Sequence, residues 1–233
     1  MTTGADGLPP LMNMGRVESS GRHTAFDADV VFHEYTHGLT NRLVGGQLNA
    51  NALDNLQSGG LGEGWSDYYA LTIQNYFRSV EKTVVGDWVL NDSAGIRRAR
   101  YDDAYPFGFG DLSQSADPHA IGEVWCAALM MLTRKMRVQL GGDQQGYRLS
   151  WQIVTDGLKL TPANPTFLDA RDAILQALDD LATATRISAS THATARRAAW
   201  EAFAHFGMGV HATSPDSNSV QGIEADQTVP EGI

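Results

Sequence analysis

Apolar residues recur every three or four positions along most of the chain, a spacing that predicts helices rather than strands. Six stretches show it: 27–44, 62–77, 117–140, 143–160, 166–184 and 191–206. Residues that favour helix starts precede or open several of them, such as Asp27 and the pair Asp117-Pro118. The segment Val124–Leu132 is apolar on every side, which indicates a central, buried helix. The sequence therefore predicts a mainly α fold.

Three segments lack this periodicity. Residues 1–25 are rich in Gly, Pro and Ser, which predicts a loop with one short strand at Leu11–Met14. Residues 78–116 are expected to be irregular, and so is the polar tail 210–233. No linker-like composition separates the helical stretches, so we expect a single domain over residues 1–233.

The irregular stretch 78–116 is rich in aspartate, and carboxylates of this kind could hold calcium. The aspartates in question are Asp87, Asp92, Asp102, Asp103 and Asp111. No EF-hand spacing connects them, so a solvated acidic loop is the preferred interpretation and a calcium site has no further support.

Composition narrows the class of protein. The chain has 233 residues, of which 42% are hydrophobic, and a net charge of −10, which argues against binding to nucleic acid or to an anionic membrane surface. The longest apolar run, Val124–Leu132, is about half of what a membrane span needs. The single cysteine, Cys126, excludes an intrachain disulfide and a thiolate metal cage. Met1–Pro10 lacks the basic start and apolar core of a secretory signal.

The strongest chemical signal is the sequence His33-Glu34-Tyr35-Thr36-His37 on the first predicted helix. Residues four apart share one helix face, so both imidazoles point the same way and supply half of a zinc site. Glu34 is offset from that face and is placed to reach a water on the open side of the metal. The alternative is that His33 and His37 are ordinary residues of a polar helix face.

A zinc peptidase needs a third protein ligand and an open fourth position. Glu63, in the segment GEGWSD (62–67), fits that need, and the loop before it is long enough to fold the two helices together. Asp67 lies four residues further on and could accept the free ring N–H of a ligand histidine. The alternative for both acids is a solvated helix start, where negative charge is favourable.

A third element is His119, in Asp117-Pro118-His119 at the start of the buried helix. This histidine could point into the cleft and donate a hydrogen bond to an oxyanion. From its position alone, a surface histidine in the first helical turn is the better interpretation.

These motifs together resemble the fungalysin family of secreted, elastinolytic metalloendopeptidases, which are relatives of thermolysin. The resemblance rests on HEYTHGLTNRLVGG (33–46), SGGLGEGWSDYYA (58–70) and DPHAIGEVW (117–125). It continues through LTPANPTFLDARDAIL (160–175) and WEAFAHFGMGV (200–210), and so covers the chain from about Pro9 to Val210.

The resemblance implies a role for each motif residue. His33, His37 and Glu63 correspond to the ligands of one catalytic Zn²⁺, and Glu34 corresponds to the general base and proton shuttle. Asp67 corresponds to the carboxylate behind a ligand histidine. His119 corresponds to the histidine that stabilises the tetrahedral intermediate, so the resemblance favours this role over that of a surface histidine. The segment Leu11–Met14 is similar, weakly, to the edge strand that pairs with substrate backbone.

The resemblance also implies partners and location. Such enzymes act on protein or peptide substrates, are secreted as zymogens, and carry a signal peptide, a propeptide and a β-rich N-terminal lobe before the zinc helix. Only 32 residues precede His33 here, so we expect the helical C-terminal lobe of a thermolysin-like zincin together with its zinc helix. Three alternatives remain: a truncated zinc-binding homologue without catalysis, a helical interaction module without metal, and an enzyme that hydrolyses something other than peptide, which the motif alone does not exclude.

Overall fold

Seven α-helices account for most of residues 11–233, the part of the chain that the computed structural model describes. They are α1 (Ala28–Leu43), α2 (Leu56–Asn75), α3 (Asp87–Leu90), α4 (Pro118–Gln139), α5 (Asp143–Leu160), α6 (Phe167–Thr183) and α7 (Ala189–His205). The mainly α prediction is confirmed. Residues 1–10, which include Pro9 and the segment inspected for a secretory signal, lie outside the described residues.

Helix α1 begins as its sequence predicts, because the Asp27 side chain accepts a hydrogen bond from the backbone N–H of Asp29. Its buried positions are polar: Asp29, His33, Thr36 and Thr40. These residues recur at intervals of three and four, so they form one stripe along the helix. The buried face of α1 is therefore a line of polar side chains, while Leu39 and Leu43 pack against the core from partly buried positions.

Helix α2 begins at Leu56, six residues before the predicted start at Gly62. The prediction was wrong because the glycines of this stretch indicate a loop, whereas the structure uses them for close helix packing. A Cβ added to Gly60 would lie 2.9 Å from Cβ of Ile121, and one added to Gly64 would lie 2.5 Å from the carbonyl oxygen of Gly122, both on α4. Glu63 is consequently inside the helix, and the interpretation of a solvated helix start fails for it.

Helix α4 is the centre of the core. Asp117 caps it through the N–H of His119, and Pro118 occupies the first turn, as the sequence predicts. The Trp125 ring is fully buried and packs against Trp65 of α2 at 5.8 Å and against Phe203 of α7 at 5.7 Å between ring centroids. This packing fixes α2, which carries Glu63 and Asp67, relative to α4, which carries His119.

The remaining segments differ in detail from expectation. The predicted strand Leu11–Met14 is reduced to a single β-bridge at Leu11, since residues 12–14 have no regular structure. Among the described residues, pairing of β type is limited to isolated bridges such as that between Arg16 and His23. The stretch 78–116 contains α3 and one 3-10 helix, Phe109–Gln114, between irregular loops.

No helix within residues 11–233 combines the length and the apolarity needed to cross a membrane.

Candidate metal centre

Helices α1 and α2 bring three side chains to one point. Nε2 of His33 lies 3.1 Å from Nε2 of His37, as expected for imidazoles on successive turns of one helix face. Glu63 reaches across from α2, with Oε2 at 3.1 Å from Nε2 of His33 and Oε1 at 3.4 Å from Nε2 of His37. Within residues 11–233, these three residues form the one group of metal-binding side chains close enough to share an ion.

The spacing of these donors fits zinc. Bonds of 2.0–2.1 Å in tetrahedral geometry place neighbouring ligand atoms about 3.3 Å apart. The two imidazole nitrogens are 3.1 Å apart, and the Glu63 carboxylate approaches His33 at 3.1 Å through Oε2 and His37 at 3.4 Å through Oε1. Oε2 of Glu63 is buried and, although it lies within ion-pair distance of His33, it has no hydrogen bond of suitable geometry among the described residues. Two imidazole nitrogens and one carboxylate are a donor set that zinc prefers.

Asp67 orients the ring of His33. Its Oδ1 lies 2.7 Å from Nδ1 of His33, on the side of the ring away from Glu63. The guanidinium of Arg97 donates two hydrogen bonds to the same carboxylate, at 2.6 and 2.9 Å, and Tyr101 donates a third at 2.6 Å. Burial would raise the pKa of Asp67, but Arg97 and His33 outweigh it and hold that pKa well below its usual range. Asp67 is therefore an ionised acceptor.

The two histidines have different electrostatic surroundings. Burial lowers the pKa of His33, but the hydrogen bond with Asp67 and the negative charges of Asp67 and Glu63 dominate and raise it to about 9. The pKa of His37 falls to about 4, because burial and the charge of His33 outweigh the attraction of Glu63 and Glu34. A metal ion held at Nε2 would therefore have to displace a proton from His33.

The three side chains open into a cleft of about 370 Å³. Glu34, partly buried, lines this cleft next to the metal-binding group, as the sequence predicts. His119 lies at the mouth, where its side chain is half exposed. Its Nε2 is 3.5 Å from Oε2 of Glu63 and its Nδ1 is 3.0 Å from Oδ1 of Asp117. The structure thus places all six residues singled out in the sequence around one cleft or directly behind it.

The aspartates of segment 78–116 do not gather around a common point within the described residues. Asp92 and Asp102 each accept a hydrogen bond from a backbone N–H two residues ahead, at 2.9 Å in both cases. Asp87 pairs with Lys82, and Asp103 pairs with Arg134. These carboxylates close turns and form ion pairs.

Arg97 and Tyr101 are the residues of this site that the sequence did not reveal. They lie in the irregular stretch, where no periodicity relates them to either helix. The available signal was indirect: a buried aspartate needs a cationic or hydrogen-bonding partner. That requirement does not say which arginine of the chain supplies it.

Comparison with known proteins connects this geometry to a family. A sequence model of the fungalysin metallopeptidases (M36) matches residues 1–212. The extracellular metalloproteinase MEP of Leptosphaeria maculans is 34% identical over 99% of this chain, and the corresponding protein of Aspergillus fumigatus is 36% identical over 99%. The extracellular metalloproteinase MEP of Fusarium vanettenii is 38% identical over 75% of this chain. The chain spans about a third of each relative: the matched part is 38% of the L. maculans protein, 37% of the A. fumigatus protein and 31% of the F. vanettenii protein.

Proposed function

The chain belongs to the fungalysin (M36) metallopeptidase family, and from that premise we propose that it is a zinc-dependent metalloendopeptidase that cleaves peptide bonds of extracellular proteins. The observation that carries the proposal is the convergence of His33, His37 and Glu63 beside Glu34 in an open cleft. Two imidazoles and one carboxylate leave one position of a tetrahedral ion for water or substrate, which is the arrangement of catalytic rather than structural zinc.

In this proposal His33, His37 and Glu63 hold one Zn²⁺. The bound ion supplies Lewis acidity, which lowers the pKa of water and polarises the scissile carbonyl group. The carboxylate of Glu34 accepts the proton of the attacking water and then delivers it to the leaving amine. Its place in helix α1, one residue after His33, sets it at the cleft without making it part of the ligand group.

His119 has the second role in the reaction. Its half-exposed ring at the cleft mouth is placed to donate a hydrogen bond to the oxyanion that forms as the carbonyl is attacked. Asp117 holds the ring through Nδ1, which directs Nε2 toward the cleft. Asp67 acts on the other side of the centre, where it fixes His33 with Nδ1 protonated and Nε2 free to bind the metal.

The test is Glu34→Gln, with peptide hydrolysis and zinc content measured on the same preparation. The amide cannot accept the proton, so we expect the turnover rate to fall by about 10²–10⁴-fold, while zinc content stays at that of the parent chain. Glu18→Gln, at an exposed position, is the matched control and should leave both unchanged. A Glu34→Gln variant as active as the parent would overturn the role of Glu34.

A second candidate is a zinc-binding homologue that does not catalyse. The observation in its favour is that the chain spans only 31–38% of the length of the relatives compared above. In the full-length parent we propose a β-rich N-terminal lobe that completes the cleft, a propeptide, and secretion, as the extracellular relatives suggest. Stoichiometric zinc without any peptide hydrolysis would favour this candidate, whereas zinc-dependent hydrolysis by the chain would exclude it.

A further inference from the structure

The carboxylate behind His33 is held from three directions. Asp67 is 1% exposed. Besides the contact with His33, its Oδ1 accepts a hydrogen bond from Nη2 of Arg97 at 2.9 Å. Its Oδ2 accepts from Nε of Arg97 at 2.6 Å and from the hydroxyl of Tyr101 at 2.6 Å. A planar guanidinium that binds both oxygens fixes the rotation of a carboxylate, which a single point contact does not do.

Both donors come from one loop segment, residues 97–101. Tyr101 is fully buried, and the Arg97 side chain is 7% exposed. The backbone N–H of Tyr101 donates to the carbonyl of Thr83 at 2.8 Å, and its carbonyl accepts a hydrogen bond from Arg134. The segment is therefore anchored on its far side, and it presents the two donors to Asp67 in a fixed arrangement.

From this geometry we propose that Arg97 and Tyr101 are positioning residues for the metal centre. They hold the Asp67 carboxylate in the plane that receives Nδ1–H of His33, so that Nε2 points at the place shared with His37 and Glu63. The inference rests on the proposed function, because it concerns the same zinc ligands. It adds two residues that do not line the cleft and yet control how tightly zinc is held.

The alternative interpretation is that Arg97 only neutralises the buried negative charge of Asp67. Its Nη2 lies 3.7 Å from Oε2 of Glu63, so its positive charge opposes that of an incoming cation. Removing the charge of Arg97 would change the electrostatic attraction for zinc even if the orientation of Asp67 and His33 stayed the same. A test must therefore keep the charge and change the geometry. Arg97→Lys replaces the bidentate fork by a single ammonium group, and Tyr101→Phe removes one hydroxyl without changing the net charge.

The chain supplies a matched control in the neighbouring residues. Nε of Arg98 donates to Oε2 of buried Glu123 at 3.0 Å, and the hydroxyl of Tyr105 donates to the same oxygen at 3.0 Å. This second cluster also joins an arginine and a tyrosine to a buried carboxylate and ties the same loop to α4, but neither Arg98 nor Tyr105 hydrogen-bonds His33 or Asp67. Arg98→Lys and Tyr105→Phe therefore report what loosening the loop alone does.

The experiment measures the zinc affinity of the folded, metal-free chain by competition with a chelator, for the parent and the four single variants. Thermal stability is recorded beside it, together with the visible spectrum of the Co²⁺-loaded chain, which reports ligand geometry. We expect the zinc affinity to fall about tenfold in Arg97→Lys and severalfold in Tyr101→Phe, with a changed cobalt spectrum. Arg98→Lys and Tyr105→Phe should lose thermal stability while keeping the affinity of the parent.

The outcomes separate the two proposals. A parent chain that binds no zinc refutes the proposed function and this inference with it. A parent that binds zinc, with unchanged affinity and spectrum in Arg97→Lys and Tyr101→Phe, refutes this inference alone. An equal loss of affinity in the Arg98 and Tyr105 controls also refutes it, since the effect would then come from the loop. If Arg97→Lys does not fold, Tyr101→Phe decides the question.

Discussion

Asp67 and His33 are joined by a contact of 2.7 Å between Oδ1 and Nδ1, and it determines which nitrogen of the imidazole faces the metal-binding group. A buried, ionised carboxylate at Nδ1 keeps a proton on that nitrogen, so that Nε2 is the nitrogen left to bind a metal ion. The two residues lie on different helices, so the contact also connects α1 to α2 at the site itself. One interaction thus serves the chemistry and the fold together.

Asp67→Asn should lower both the stability of the metal-free chain and its affinity for zinc. The amide loses the negative charge, so Arg97 becomes a buried cation without its partner, and we expect the metal-free chain to lose about 3–5 kcal/mol of unfolding free energy. Zinc affinity should fall by about 10–100-fold. Urea denaturation and chelator competition measure the two effects. Unchanged zinc affinity in a folded variant would show that Asp67 does not orient His33.

The close packing of α2 on α4 should be sensitive to single carbon atoms. A Cβ on Gly122 would lie 2.7 Å from Cβ of Glu63 and would also clash with the carbonyl of Gly60. We therefore expect Gly122→Ala to cost about 1–3 kcal/mol of unfolding free energy and to weaken zinc binding by displacing Glu63.

Gly59→Ala is the matched control for this change. Gly59 lies on α2, the helix against which Gly122 of α4 packs, and its nearest neighbours would be at 3.6 Å or more from an added Cβ, which is ordinary contact. The substitution should stabilise the chain by about 0.5–1 kcal/mol through helix propensity. Equal effects of the two substitutions in denaturant unfolding would contradict the close-approach argument.

The stability of the chain at alkaline pH should depend on Tyr69. Burial raises the pKa of Tyr69 from 10 to about 12, although its hydrogen bond with Thr155 acts in the opposite direction. Between these values the unfolded chain releases the proton while the native chain retains it, so native stability falls as the pH rises. A shift of this size corresponds to about 2–3 kcal/mol.

Tyr69→Phe tests that assignment. At pH 7 the variant should be less stable than the parent by about 1 kcal/mol, because the hydrogen bond with Thr155 is lost. The difference should shrink and then reverse as the pH approaches 12, since phenylalanine has no proton to release. Tyr35→Phe, at an exposed ring, is the control for removing a hydroxyl. A stability difference that is constant with pH would show that Tyr69 is not responsible.

Zinc itself should stabilise the chain. A ligand that binds the native state alone raises the unfolding free energy with its concentration, by about 4 kcal/mol at a thousand times its Kd. We therefore expect the melting temperature to rise on adding zinc to the metal-free chain and to fall again with excess chelator. Glu63→Gln should respond much less, because an amide is a poorer ligand than the carboxylate. An identical response in this variant would remove Glu63 from the ligand set.

Much of the site was predictable because its geometry is local. The four-residue interval between His33 and His37 is one helical turn, and so is the interval between Glu63 and Asp67, so the sequence alone puts each pair on one face. The start of α1 could also be predicted, because the cap is a contact between Asp27 and the backbone N–H of Asp29, two residues further along the chain.

The parts that were missed depend on contacts between distant segments. Helix α2 starts at Leu56 because glycines that favour a loop locally are needed where α4 approaches, and no local pattern reports that approach. Arg97 reaches Asp67 across 30 positions of sequence from an irregular loop. Leu11–Met14 had an acceptable composition for a strand, but its pairing partner decides whether one forms.

The measurement that tests the central claim most directly is the zinc content of the purified chain after dialysis, compared with that of His33→Ala and Glu63→Gln. If His33, His37 and Glu63 hold a single ion, the parent retains one zinc per chain and both variants lose it while remaining folded. A parent chain without zinc, or variants that keep as much zinc as the parent, would contradict the account.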